Sequence, residues 1–186
     1  QGVSGAASLQ SRVDGEPPRF MPSLIADKTT GLHLCIAVLA ALYHRKCTGE
    51  GQMIEVPMLE TLASFWLTEH LFGATWRPER GTMGYDRIIN KFRHPFPTKN
   101  GYICALPYTD QHWIAFFELA GRPDLAKEKK FVDRLERPKH FSELYQVLDR
   151  LLKDRTTEDW LEMFDKADIP AMPVHTLEEL MDDPHL

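Results

Sequence analysis

Residues 22–60 read PSLIADKTTGLHLCIAVLAALYHRKCTGEGQMIEVPMLE, and this stretch decides the fold. One acid, Asp27, stands directly ahead of a long apolar segment. Leu32, Cys35, Ile36, Leu39, Leu42 and Tyr43 recur at three- and four-residue spacings, which predicts an α-helix. Val38, Ala40 and Ala41 widen the apolar stripe, so this helix is expected to be buried on most of its girth. Thr48-Gly49-Glu50-Gly51 ends it and turns the chain. Residues 52–58 then alternate in polarity, which predicts a short strand with Ile54, Val56 and Met58 on one face. Pro57 confines that strand to an end or an edge. Leu59, Leu62, Ala63 and Trp66 mark a second amphipathic helix that closes near Phe72-Gly73. Helices alternating with short strands give a mixed α/β class.

A carboxylate at a helix start faces free backbone N–H groups and the positive end of the helix dipole, both of which favour its charged form. An ionised carboxylate held there can serve as a nucleophile or a base. The same placement is an ordinary N-cap, and the residues alone leave both roles open for Asp27. Gly31 admits either a close approach to the backbone or simple helix packing.

The whole chain has 186 residues, 43% of them hydrophobic, which is enough to build a core. Its formal net charge of −5 argues against an electrostatic nucleic-acid binder. Lys127, Lys129 and Lys130 form the nearest approach to a basic run, and Asp124 and Glu128 dilute it into a solvated face. The three cysteines, Cys35, Cys47 and Cys104, are widely spaced and form no CxxC pair, so no metal site is expected. Cys35 reads as a small core residue, and this cysteine usage suits a reducing cytoplasm. The longest apolar run, 35–43, is far short of a membrane span, so no membrane partner is expected. Residues 1–21 are rich in Gly, Ser and Pro and read as loop.

Downstream, 76–91 is a charged, glycine-bearing connection. Residues 91–97, the turn Thr98-Lys99-Asn100-Gly101 and residues 102–106 predict a hairpin on its Asn-Gly signal. Asp110 is placed to cap a helix carrying Trp113, Phe116 and Phe117, which Gly121 stops. Leu144, Tyr145, Leu148, Leu151 and Leu152 mark another helix. Thr156 with Asp159, and Thr176 with Glu179, open two more in capping-box style. His44 and His70 have no partner at metal-ligand spacing and read as exposed or capping. No Ser-His-Asp elbow, GxGxxG or P-loop is present.

Taken in order, Ile25-Ala26-Asp27, Gly31-Leu32, the apolar helix with Ala40-Ala41-Leu42, the Thr48-Gly49-Glu50-Gly51-Gln52 turn and Met58-Leu59-Glu60 resemble the class III (CaiB/BaiF-type) coenzyme A transferases. That is the family of formyl-CoA transferase, carnitine CoA-transferase and α-methylacyl-CoA racemase. The resemblance continues through Asn100-Gly101-Tyr102-Ile103 and the 155–160 helix start. It ends with Asp168-Ile169-Pro170, Pro173-Val174 and the closing Asp183-Pro184-His185-Leu186. Glu60 fits the family pattern as a structural helix-start charge, and Glu55 is the other nearby carboxylate.

The resemblance implies a partial chain that begins after the Rossmann-like, CoA-binding region. Residues 1–75 would be the end of the large domain, 76–91 a linker and 92–186 most of a small α/β domain. It implies that Asp27 is the nucleophile, with no resident cofactor and a coenzyme A thioester as substrate. It implies a carboxylic acid acceptor and an interlocked homodimer whose active site lies between large and small domains. Formyl-CoA transferase carries a glycine-rich loop where this chain runs from Tyr85 through Phe92-Arg93-His94-Pro95, which puts formate or oxalate in doubt as substrates. Arg87, Arg93 and His94 would instead face an acidic substrate or be ordinary loop charges.

The racemases of this family place an asparagine four residues before the aspartate and glycines soon after it. Here Ser23 and Lys28-Thr29-Thr30 stand at those places, which leans toward transfer. An α-methylacyl-CoA racemase and a noncatalytic dimerisation piece stay open as alternatives.

Overall fold

The computed structural model describes residues 1–186, which divide into two compact units, residues 1–89 and 90–186. Unit 1 holds α1 (Ala6–Asp14), α2 (Ile25–Thr48) and α3 (Met58–His70). Unit 2 opens with β1 (Phe96–Pro97) and β2 (Tyr102–Ala105), followed by α4 (Asp110–Leu119), α5 (Lys129–Val132), α6 (Phe141–Leu151) and α7 (Thr157–Lys166). It closes with β3 (Ala171–Pro173) and α8 (Leu177–Met181). The chain is therefore mixed α/β, with helices dominant and one three-stranded antiparallel sheet of order β1-β2-β3.

In unit 2 the sheet lays one face on a helical core. Phe96, Ile103 and Ala105 point inward onto Trp113, Phe116 and Phe117 of α4, Leu144 and Leu148 of α6, and Trp160 and Phe164 of α7. The aromatic rings meet in tilted and stacked pairs, with centroids 5.2 Å apart for Trp160–Phe164 and 6.1 Å for Phe116–Trp160. Trp160 Nε1 donates to the Leu152 carbonyl at 2.8 Å, so the buried indole leaves no polar atom unpaired. The Asn100-Gly101 hairpin forms as expected, although β1 is only two residues long. Asn100 also ties the turn to α7. Its Oδ1 accepts the Thr157 N–H at 2.8 Å, and its Nδ2 donates to Glu158 at 2.9 Å.

Both capping boxes form, at Thr156/Asp159 and Thr176/Glu179. At α4 the cap is Thr109, whose side chain accepts the His112 N–H; Asp110, expected as the cap, is the first helical residue. Asp110 is engaged instead by Arg137. That guanidinium is buried and donates to Asp110, to the carbonyls of Phe131 (2.7 Å) and Val132 (2.6 Å), and to Tyr108 O (3.0 Å).

Unit 1 departs from expectation in several places. Residues 1–21 are not all loop: α1 forms between Gly5 and Gly15, both with positive φ, and buries Ala6 and Ala7. The 24-residue α2 ends as anticipated on Gly49, whose φ of 81° suits a glycine C-cap. Its girth is not buried as the apolar stripe predicts. Only Thr29 is buried, while Leu32, Ile36, Leu39 and Tyr43 are each more than 60% exposed. Cys35 is exposed with them. The physical reason is that periodicity reports which face is apolar, not whether this chain supplies the surface that covers it.

Residues 52–58 form no strand, because no neighbouring strand is present in unit 1 to pair with them, and α3 begins at Met58. The alternation survives as burial: Ile54 and Val56 are half-buried, Met53 and Glu55 exposed. By length and composition α2 could cross a membrane, where the sequence showed only a nine-residue apolar run; the core helix of a soluble protein meets the same criterion.

His70 is buried rather than exposed. Its Nδ1 accepts the Tyr85 N–H at 3.3 Å, and its Nε2 lies 3.2 Å from Glu69. It thereby pins residues 84–85 to the end of α3, where the Gly84 N–H also donates to the His70 carbonyl at 2.8 Å. Nearby, Gly73 has no room for a side chain, since a Cβ would sit 2.5 Å from the Gly81 backbone.

Candidate functional site

Asp27 is the third residue of α2, inside the first turn rather than ahead of it; Leu24 occupies the N-cap position and contributes no side-chain cap. The helix starts there because Leu24 leaves helical geometry (ψ 51°) and the Lys28 N–H closes the first turn on the Leu24 carbonyl at 3.0 Å. The first-turn N–H groups ahead of Lys28 have no intrahelical acceptor, so this end of the helix favours negative charge. The Asp27 side chain is exposed and makes no hydrogen bond or ion pair. Its neighbours are tied down. Lys28 Nζ donates to Ser23 Oγ at 3.3 Å, Thr30 Oγ1 to the Ala26 carbonyl at 2.7 Å, and His33 Nδ1 to the Thr29 carbonyl at 2.9 Å. Asp27 is thus a carboxylate with free lone pairs on a rigid helix. One turn on, Gly31 is open: apart from its chain neighbours and its own helix backbone, no atom lies within 4 Å of where its Cβ would be.

The other carboxylates and cations singled out in the sequence fall elsewhere. Glu55 and Glu60 are exposed, Glu60 in the first turn of α3. Arg87 belongs to unit 1, whereas Arg93 and His94 belong to unit 2. His94 Nδ1 donates to the Pro95 carbonyl at 2.9 Å, and the buried Nε of Arg93 has no acceptor. No three His, Cys, Asp or Glu side chains converge. Sequence reasoning did not find Arg137. Its Arg-Pro-Lys-His context carries no motif, and its role is visible only once residues 106–110 and 131–132 are brought to it.

A family model described as CoA-transferase family III matches residues 1–186. This chain belongs to CoA-transferase family III. Among the relatives of this family III chain is a probable fatty acyl-CoA transferase of Mycobacterium tuberculosis, 29% identical over 177 residues, covering 90% of this chain and 45% of that protein. The beta subunit of a succinyl-CoA–L-malate CoA-transferase from Chloroflexus aurantiacus is also 29% identical, over 99% of this chain and 46% of its own length. A crystal structure of the M. tuberculosis protein superposes with a TM-score of 0.75 at 26% identity, covering 99% of this chain and 49% of that one. The chain spans about half the length of the curated relatives it matches.

Proposed function

We propose that this chain is part of an enzyme that moves coenzyme A from an acyl-CoA thioester to a carboxylic acid acceptor, with Asp27 as nucleophile. The observation that carries the reading is the unpaired, exposed Asp27 carboxylate in the first turn of α2, in a chain of this family. The named relatives support the reaction class, since several are CoA-transferases acting between acyl-CoA donors and carboxylic acids.

An Asp27 oxygen attacks the thioester carbonyl, the C–S bond breaks and CoA leaves as thiolate, giving a mixed anhydride. The thiolate then attacks the Asp27 acyl carbon, releasing the donor's acid as carboxylate and leaving an aspartyl-CoA thioester. The acceptor carboxylate displaces CoA to form a second anhydride. The thiolate returns to the acceptor's acyl carbon, which yields the new acyl-CoA and restores Asp27. Each step exchanges one leaving group for one nucleophile, so no resident cofactor is required. A carboxylate is a weak nucleophile toward a thioester. Its rate therefore rests on desolvation, on placement at attack distance and on donors for the developing oxyanion.

In the same reading, residues 1–75 are the end of the large domain, 76–91 a linker and 92–186 most of the small domain, and the whole protein is a cytoplasmic, interlocked homodimer. The uncovered apolar surface of α2 supports a larger assembly, because soluble monomers rarely leave so contiguous an apolar patch in water. The test is Asp27→Asn in the full-length protein, assayed for CoA exchange between an acyl-CoA and a free acid. The expected loss is at least about a thousandfold in kcat with the fold retained. Unchanged turnover would rule out the aspartyl mechanism.

A further inference from the structure

Unit 2 carries a second feature that the transferase reading does not use. A cleft of about 500 Å³ opens between the segment leading into β1 and the outer face of α6, lined by Lys91, Phe92, His94, Gln146, Asp149 and Arg150. Several basic side chains of unit 2 are held in ion pairs, among them Lys130 with Glu143, Lys139 with Glu136, Lys153 with Asp149 and Lys166 with Glu162. The two that line the cleft are not. Arg150 makes no hydrogen bond or ion pair, and the contact of Lys91 is with the Phe92 ring, 5.0 Å from its centroid.

Asp149 is the one acid in the lining, and its charge is already met. Lys153 Nζ lies 2.6 Å from one of its oxygens and His94 Nε2 4.0 Å from another. Gln146 adds an amide that can donate, although its Nε2 rests 3.1 Å from the Ser142 carbonyl. Arg93, between Phe92 and His94, adds another unpaired guanidinium to the same segment. The result is a local excess of positive charge on a chain whose net charge is −5.

We propose that this cleft binds a small organic oxyanion, a phosphate monoester or a dicarboxylate, with its acidic oxygens held by Arg150 and Lys91. Arginine supplies a planar, two-pronged donor to such a group, and lysine a point charge on a mobile stem. The volume exceeds that of a bare phosphate and leaves room for an organic body against Phe92. The assignment does not depend on Asp27, which lies on unit 1.

The experiment is a pair of titrations of the full-length protein, one with glycerol phosphate and one with succinate, followed by backbone amide shifts or calorimetry at low ionic strength. Saturable binding is expected for one of the two anions below about 10 mM, with shifts centred on residues 91–94 and 146–150. Arg150→Gln and Lys91→Gln should each weaken it by about tenfold, the loss of one charge-assisted contact. Lys166→Gln, at an exposed ion pair outside the lining, should leave it unchanged, and so should Asp27→Asn. All these side chains are exposed or half-exposed, so the variants keep the fold, and circular dichroism checks that they do. Which anion saturates decides between phosphate and carboxylate. No saturation by either, or binding that ignores both Arg150 and Lys91, overturns the proposal.

Discussion

Units 1 and 2 are built from similar proportions of apolar residues, yet they use them in opposite ways. In unit 2 the apolar positions turn inward and close on one another, from Phe96 to Ile169, with Phe116, Phe117, Trp160 and Phe164 fully excluded from water. In unit 1 the buried apolar side chains are Ala6, Ala7 and Leu62, and the longest helix presents Leu32, Ile36, Leu39 and Tyr43 to solvent. The difference teaches that unit 2 carries its own core, whereas unit 1 leaves the apolar face of its longest helix exposed. A chain that spans about half of its relatives' length fits that division of labour.

The comparison breaks or sharpens most readily on matched truncations. Trp160→Ala in unit 2 should cost about 3–5 kcal/mol, read from chemical denaturation of this chain. Ile36→Ala on α2 should cost less than about 0.5 kcal/mol in the same chain, because that side chain is already in water. In the full-length protein the Ile36→Ala cost should rise to about 2 kcal/mol or more if its face is covered there. Equal small effects of Ile36→Ala in both contexts would remove the idea of a covered surface.

Arg137→Met comes next. It strips donors from three carbonyls and leaves Asp110 without its cation, so a loss of about 3 kcal/mol is expected by thermal or denaturant unfolding. A loss below 1 kcal/mol, on the order of an ordinary surface change, would mean that water replaces the guanidinium easily. Thr156→Ala should cost about 1 kcal/mol by removing the capping box of α7.

The smallest effect is one of pH. Asn100 donating to Glu158 is the main cause holding that carboxyl below the usual glutamate range. A depressed folded-state pKa means the contact contributes above the unfolded value, about 4.3, and is lost as pH falls through the lower folded value. The difference in melting temperature between the native chain and Glu158→Gln should therefore shrink in that acid window. A difference that grows there would carry the wrong sign.

What the sequence made legible follows the range of the interactions. Asn100-Gly101, Thr156 with Asp159, Thr176 with Glu179 and the Gly49 and Gly121 helix stops are local chemistry, and each appears where it was read. The strand at 52–58 failed because a strand is completed by a partner that may lie anywhere, and unit 1 provides none. Burial of α2 and Cys35 failed for the same reason. The helix α1 was hidden by its glycine- and proline-rich surroundings, although Gly5 and Gly15 bracket it.

At the site, the periodicity put Asp27 at the helix start but not within the first turn, a displacement that matters because Leu24 takes the cap and leaves the carboxylate free. Lys91 and Arg150 lie far apart in sequence, and no spacing rule could have joined them across the cleft.

The most direct test of the central claim is chemical trapping at Asp27. The full-length protein would be incubated with a panel of acyl-CoAs, quenched with hydroxylamine and digested for peptide mass spectrometry. An aspartyl anhydride or thioester should leave a hydroxamate on Asp27, in the peptide that spans the start of α2, only when a competent acyl-CoA is present. An unmodified Asp27 under turnover, with exchange of the α-proton of a 2-methylacyl-CoA in its place, would contradict covalent transfer and assign the site to racemisation.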